Sequence, residues 1–452
     1  MRYLPHTPDD VREMLAVVGV SSLDELFGPI PESLRMVRPL DLPEALPECR
    51  LRFEMEKLAG TNLDAGSMAC FAGAGIYNHY VPAAVGQLLV RSELYTAYTP
   101  YQPEVSQGTL QAVFEYQTMM ARYLAMEVSN ASLYDGSTAT AEAVGMALRI
   151  HRNKRPVVVI AGHVHPEYLG VVRSYLTSPD ETIRRVPAGD DGRVDPGALR
   201  EAMGPDVAAI VVQHPNFLGL LEDLAVLRDA ATRHEALLVT TFSEALAFGL
   251  LKPPGAFGAD IVVGEGQSFG MPVSYGGPLL GILTTRKTHV RSMPGRVVGL
   301  TSDRHGNDAY CVTLSTREQH IRREKATSNI CTNEGLCAMS AAIYLSLLGN
   351  DGIAKLARLN HHASLHLARR LAAIPGVSLP YAGSAWFNEF AVDLPLPAAE
   401  VCRRMAPKGI LAGVPLSRFF PEQDRRMLVA ATELCSGSEI DRYVEALGAA
   451  CA

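Results

Sequence analysis

Between about residue 58 and residue 323 the chain alternates two patterns. Continuous apolar, β-branched runs occur at residues 157–161, 208–212, 237–241, 261–264 and 279–283, and stretches of helical spacing at 107–126 and 138–151 lie among them. Apolar runs of this length without polar alternation predict strands buried on both faces of a mainly parallel sheet. Helices returning between them predict an α/β domain with helices on both faces. The last third changes character. Residues 334–348 predict one helix and 351–373 a longer one, whose stripe Leu356, Leu359, Ala363, Leu367 and Leu371 is closed by Pro375-Gly376. Strands are then expected at 377–379, 387–392, near Ile410 and at 427–431. A helix is expected at 397–405, and a last one capped by Ser438 with the stripe Ile440, Tyr443, Val444 and Leu447. This describes a smaller α/β layer, with helices on one face of an antiparallel sheet.

The chain opens with an N-cap, Thr7, then Pro8 and the acids Asp9 and Asp10, which suit the positive end of a helix dipole. Val11, Met14, Leu15 and Val18 fall on one face. A second short helix is expected at 21–27, ending near Gly28. A connection rich in proline (Pro29, Pro31, Pro39, Pro43, Pro47) follows, read either as an arm packing across a partner subunit or as a simple extension. The expected division is an arm at 1–60, a large α/β domain at 61–330 and a small C-terminal α/β domain at 331–452.

Composition narrows the function. A chain of 452 residues exceeds what one hydrophobic core usually serves, and 48% apolar with 20% charged residues is an ordinary globular mixture. The formal charge of −7 argues against nucleic acid as a main partner, since phosphate contacts need a basic surface. No basic–apolar–small signal pattern opens the chain and no run approaches the roughly 18 apolar residues of a membrane span, so a cytoplasmic protein without membrane association is expected. The eight cysteines form no CxxC pair, which leaves no zinc or dithiol motif, and no metal site is expected.

Several segments carry chemistry. In YDGSTATAEA (134–143) a glycine turn and hydroxyl residues open a helix, where backbone N–H groups make either an anion cradle or an ordinary capped terminus. The segments NHYVP (78–82) and YTAYTPYQPEVSQG (95–108) pack tyrosines, prolines and polar side chains into irregular loops, fit to line a pocket or to form a rigid surface or subunit contact. His214 stands where a strand ends, as a ligand group or a hydrogen-bonded spectator. Residues 317–333 combine cations with the hydroxyl-rich turn Thr327-Ser328-Asn329, able to donate to an anion. Finally, the run 261–264 leads into a polar loop, Gln267-Ser268, and then Gly276-Gly277 and a second strand. Many enzymes of pyridoxal phosphate present their Schiff-base lysine on such a loop. Neither Gln267 nor Ser268 can form an imine.

Together, FAGAGIYNHYVP, TAYTPYQPEVSQG, YDGSTATAEA, HPNFLG, GEGQSFGMPVSYGGP and REQHIRREKATSNICTNEGL, in one order across most of the chain, resemble the N-terminal, or alpha, subunit of the split glycine dehydrogenase (decarboxylating), the P-protein of the glycine cleavage system. The resemblance implies the fold-type-I architecture of pyridoxal-phosphate-dependent transferases, with a large mainly parallel seven-stranded-type α/β/α domain and a smaller C-terminal α/β domain. It implies that pyridoxal phosphate is bound covalently by the beta subunit, and that Gln267 lies near the lost lysine position, leaving no catalytic residue in this chain. A second position agrees: the strand at 237–242 ends without the carboxylate that such enzymes set against the pyridine nitrogen, and Glu244 lies beyond it. Lys57, Lys154, Lys252, Lys287, Lys325, Lys355 and Lys408 all fall outside the loop.

The implied activity is that of an α2β2 assembly. It decarboxylates glycine, releases CO2 and transfers the aminomethyl group to the lipoyl arm of H-protein, the lipoyl group being a co-substrate. By the same resemblance His79, Tyr95, Tyr98, Tyr101, Gln102 and Glu104 line the substrate and lipoyl-access side of the partner's site, and Thr327, Ser328 and Asn329 approach the cofactor phosphate. The alternatives are a non-catalytic scaffold that stabilises the beta chain, and an autonomous pyridoxal-phosphate enzyme using an unexpected lysine.

Overall fold

The structure, a computed structural model, describes residues 5–36, 38 and 40–452, so Pro39 of the proline-rich connection lies outside the described residues. The chain divides into two compact units, Met1–Asn62 and Leu63–Ala452. In the first, α1 (Pro8–Val18) starts where the Thr7 signal sets it. Thr7 Oγ1 accepts from Asp10 N (3.2 Å), and the Asp10 carboxylate accepts from Thr7 N (2.6 Å). Residues 24–27 form a single 3-10 turn rather than an α-helix. A second helix, α2 (Glu48–Ala59), occupies sequence read as connection. Leu51, Met55 and Leu58 recur at i, i+4 and i+7, a helical spacing beside the proline-rich run. No residue of α1 or α2 is buried.

The second unit is built on a seven-stranded sheet: β1 (Val128–Ser129), β2 (Val157–Ala161), β3 (Ile183–Val186), β4 (Val207–Gln213), β5 (Leu237–Phe242), β6 (Ile261–Glu265) and β7 (Gly281–Thr285). The order is β1-β7-β6-β5-β4-β2-β3, and β7 alone runs against the rest. Successive side chains of a strand point to opposite faces, and two cores record it. Val159, Ala161, Ile210, Val212 and Val262 pack on one side with Tyr116 and Met120 of α3 (Gln107–Tyr123). Val158, Ile160, Ala209, Val211 and Val263 pack on the other with Ala139, Val144 and Ala147 of α4 (Gly136–Ile150). With α5 (Pro166–Tyr175) and α6 (Leu224–Arg233), this is the mainly parallel α/β/α layer that continuous apolar runs predict.

The strands without a sequence signal are the edges. β1 is two residues long, and β3 reads Ile-Arg-Arg-Val, a charged edge of the kind that blocks further pairing. The run expected at 279–283 pairs two residues later. Thr284 and Thr285 belong to the strand because their buried hydroxyls donate to Val262 O and Asp260 O (both 2.9 Å). An antiparallel hairpin, β8 (Val297–Ser302) and β9 (Asp308–Thr313), adds to this unit.

The two helices expected at 334–348 and 351–373 are nearly one, α7 (Gly335–Leu371), interrupted only where Gly349 turns to φ 59°. Its first half gives Ala338, Ala341 and Tyr344 to the core on the sheet, and its second half gives Leu367, Ala368 and Leu371 to the C-terminal core. By length and composition α7 passes as a membrane span, yet 39% of its most apolar stretch is buried in the protein, and these residues fill cores. The C-terminal sheet is antiparallel, β10 (Glu389–Asp393), β12 (Arg426–Ala430) and β11 (Val414–Pro415) in that spatial order. Val401 and Met405 of α8 (Ala398–Met405) and Ile440, Tyr443 and Leu447 of α9 (Gly437–Cys451) fill its core. The strand expected at 377–379 is reduced to a bridge between Ser378 and Asp393. The cap of α9 is Ser436, not Ser438. Ser436 Oγ accepts from Glu439 N (3.3 Å) while the Glu439 carboxylate accepts from Ser436 N (2.9 Å).

Candidate functional site

Ligands of open parallel sheets sit at the carboxyl ends of the strands, here the ends of β4, β5 and β6 beside the N-terminus of α4. Asp135 caps α4, its Oδ1 accepting from Thr138 N (2.8 Å). The amide of Gly136 donates instead to Glu265 Oε2 (2.9 Å), from the last residue of β6. Glu265 Oε1 accepts from Leu280 N (2.8 Å) and Gln267 N (3.0 Å). Burial pushes this carboxyl up to about 8, against the pull of the three N–H donors. Glycine at 136 is needed for the approach, since a Cβ there would lie 2.4 Å from the Tyr168 hydroxyl and 2.9 Å from Glu265 N.

Gln267 follows two residues later and is buried. Its Oε1 accepts from Tyr77 N (3.2 Å) and its Nε2 donates to Met271 O (2.7 Å), so both ends of the amide are bonded within the chain. The Tyr77 hydroxyl donates to Glu389 Oε2 (2.8 Å), and Glu389 Oε1 accepts from Ala74 N (2.6 Å). Burial pushes the Glu389 carboxyl up to about 7. Gln213, ending β4, accepts from His165 N (2.7 Å) and donates to Ser243 Oγ (3.3 Å). At the end of β5, Thr241 shares a hydroxyl contact with Thr140 (2.8 Å). The strand ends are thus filled by side chains bonded to one another and to the backbone.

His79 belongs to a neighbouring buried cluster. Its Nε2 lies 2.9 Å from Glu244 Oε2 and its Nδ1 lies 2.9 Å from Glu433 Oε2. Burial alone would lower its pKa, but the carboxylates on both sides override that and raise it to about 10, so the ring is an imidazolium donating to each. Glu433 also accepts from Tyr80 N (2.7 Å) and Asn360 Nδ2 (3.0 Å). His79 is therefore an interior clasp, whereas a pocket-lining histidine would be exposed. His214 is a spectator too. Its Nδ1 accepts from Glu222 N (3.1 Å), and burial lowers its pKa to about 4.

The loop residues lie elsewhere. Tyr95, Tyr98 and Tyr101 are 66%, 77% and 72% exposed, and Gln102 and Glu104 are exposed beside them. Tyr98, with Leu94, Pro100, Val113, Leu336 and Met339, walls a small, largely apolar pocket, and the Arg296 guanidinium lies 5.8 Å from the Tyr101 ring. In the turn after β9, Thr327 N donates to Arg317 O (3.0 Å), and Asn329 is exposed. The Ser328 hydroxyl donates to Glu142 Oε1 (2.6 Å). Glu265, Glu389 and Glu433 are the groups that sequence reading missed. The one signal for Glu265 was an acid closing the apolar run Ile261-Val262-Val263-Gly264. Among the described residues no group of three His, Cys, Asp or Glu side chains could hold a metal.

The model of the family described as glycine cleavage system P-protein matches residues 1–447. The chain belongs to the glycine cleavage system P-protein family. It is 50% identical over 449 residues to the probable glycine dehydrogenase (decarboxylating) subunit 1 of Xanthobacter autotrophicus, covering 99% of each chain. It is 51% identical over 440 residues to the protein of the same name from Anaeromyxobacter dehalogenans, covering 96% of this chain and 97% of that one. Among solved structures, glycine decarboxylase (P-protein) of the glycine cleavage system, in inhibitor-bound form, superposes with a TM-score of 0.90 at 44% identity over all of both chains. Sphingosine-1-phosphate lyase from Burkholderia pseudomallei, at 15% identity and a TM-score of 0.65 over 93% of this chain and 94% of its own, shares the fold. The fold is thus the fold-type-I architecture of pyridoxal-phosphate enzymes. The residues at the strand ends of this P-protein chain do not fit that cofactor: Gln267 brings no amine, its amide is bonded at both ends, and the first amide of α4 is taken by Glu265.

Proposed function

We propose that this chain is the alpha subunit of a split P-protein, assembled as α2β2 in the cytoplasm with a beta subunit that carries pyridoxal phosphate covalently. The complex decarboxylates glycine, releases CO2 and passes the aminomethyl group to the lipoyl arm of H-protein. The observation that carries this reading is Gln267, a buried amide with both ends bonded in the loop after β6. The relatives named subunit 1 support a partner chain. On the partner, the cofactor supplies the electron sink that decarboxylation requires.

This chain's part is to shape the partner's site. Prolines stiffen the loop around Tyr95, Tyr98 and Tyr101, and the exposed tyrosines offer apolar bulk with a polar tip, suited to excluding water and orienting glycine and the lipoyl arm. Gln102 and Glu104 supply polar contacts there. His79 acts from the interior through Glu433, which takes the Tyr80 amide. The turn Thr327-Ser328-Asn329, with Ser328 tied to Glu142, is assigned to the approach to the partner's cofactor phosphate. The test is glycine–bicarbonate exchange by the reconstituted complex. Tyr98→Ala and Glu104→Ala should each lower exchange by about tenfold or more while assembly measured by sizing stays intact. Unchanged exchange in an intact assembly would assign this chain a scaffold role instead.

A further inference from the structure

We infer that Glu265 is a built-in hydrogen-bond acceptor that closes this chain's own phosphate cradle, so that the chain has lost its cofactor site at the helix terminus as well as at the lysine position. A phosphate is held at a helix N-terminus by free backbone N–H groups and the positive end of the helix dipole. Helix α4 has 15 residues and starts beside the ends of β5 and β6, the position at which this fold would offer such a cradle. Two of the three first-turn amides are satisfied internally. Gly136 N donates to Glu265 and Thr138 N to Asp135. A phosphate arriving there would meet the acceptor oxygens of two carboxyl groups and find these donors already used.

Glu265 is also held in place from behind. Its other oxygen takes the amides of Gln267 and Leu280, which fixes the loop after β6 and the approach to β7. The side chain therefore cannot swing aside without breaking three hydrogen bonds in a buried setting. The Tyr168 hydroxyl stands over Gly136 at a distance that would not admit even a Cβ. Gln267, two residues after Glu265, has both amide ends bonded within the chain. Restoring a lysine at 267 alone would leave the cradle shut.

This inference rests on the partner-held cofactor reading only for its significance, and the two can fail separately. Full-length chain is titrated with inorganic phosphate and followed by thermal unfolding, against chloride at matched ionic strength. Wild type should show no phosphate-specific change, whereas Glu265→Ala should gain at least about 2 °C in Tm at saturating phosphate. A Glu265→Ala chain that is folded by circular dichroism yet indifferent to phosphate overturns the inference, as does a wild type that responds like the variant. Should Glu265→Ala not fold, Gln267→Lys is compared with wild type after incubation with pyridoxal phosphate and borohydride reduction. A pyridoxyl adduct at position 267 in this single variant overturns the inference, and its absence by peptide mass mapping is the expected result. A wild-type chain that by itself takes pyridoxal phosphate on another lysine would instead sink the partner-held reading and leave the phosphate outcome unchanged.

Discussion

His79 Nε2 and Glu244 Oε2 meet at 2.9 Å with their side chains only 1% and 3% exposed. Glu244 begins the turn after β5, His79 comes from the segment before the tyrosine loop, and Glu433, on the other nitrogen, follows β12 of the C-terminal sheet. One imidazolium thus links three parts of the second unit. Placing a charge there is tolerated because both its protons are donated to carboxylates.

The clasp makes stability depend on pH in a defined direction. The His79 pKa rises from 6.5 unfolded to about 10 folded, so between those values the native state binds more protons than the unfolded one and stability falls with rising pH. The contribution is complete below about pH 6.5 and is lost through about pH 10. His79→Ala should cost about 3–5 kcal/mol near pH 7, because it leaves two buried carboxylates facing each other. Urea denaturation across pH 6–10 should show the alkaline decline in wild type and a shallower one in the variant.

Glu389 pulls in a lower window. Its carboxyl rises from 4.5 to about 7 on folding, so its ionisation costs stability progressively as pH climbs through that interval. Glu389→Gln keeps an acceptor for Ala74 N or the Tyr77 hydroxyl and removes the buried charge. The variant should be less stable than wild type near pH 5 and gain on it by about 1–3 kcal/mol toward pH 8. Tm against pH for both proteins checks the crossing slopes.

Gly136→Ala tests how tightly the helix terminus is packed. The new methyl would lie 2.4 Å from the Tyr168 hydroxyl and 2.9 Å from its Cζ, so a loss of about 1–3 kcal/mol or more is expected. Tyr168→Phe removes the nearer atom and should recover only part of the loss, because Glu265 N is also 2.9 Å away. A double-mutant cycle in denaturant measures the coupling.

The last helix separates two neighbouring serines. Ser436→Ala removes a reciprocal cap and should cost about 1 kcal/mol. Ser438→Ala should change stability by less than about 0.5 kcal/mol, since Ser438 is exposed and caps nothing. Chemical denaturation of the two single variants distinguishes them.

Ser436 and Ser438 also show where local reading fails. Both precede the same apolar stripe with an acid nearby, and only the backbone entry angle decides which hydroxyl faces the free amides. The same limit hid β1 and β3, whose edge positions require no apolar run, and shifted β7 by two residues because buried threonines read as loop. The central strands were legible, since burial on both faces demands continuous apolar sequence. Of the candidate site, Tyr98 and Tyr101 lie exposed in the proline-containing segment, whereas Tyr95 ends a short helical turn, Ser92–Tyr95. The interior position of His79 had no local signal, because its partners are 165 and 354 residues away.

The order of residues alone gives the buried strands and the chemical character of position 267, since an amide forms no imine in any fold. What surrounds that amide depends on the folded topology. Gly136 and Glu265 are 129 residues apart, and only the parallel crossovers that set β6 beside the start of α4 bring the carboxylate to the helix amide. A carboxylate's hydrogen bonds extend about 3 Å, so its partners depend on topology, and no local pattern of apolar and polar residues encodes them.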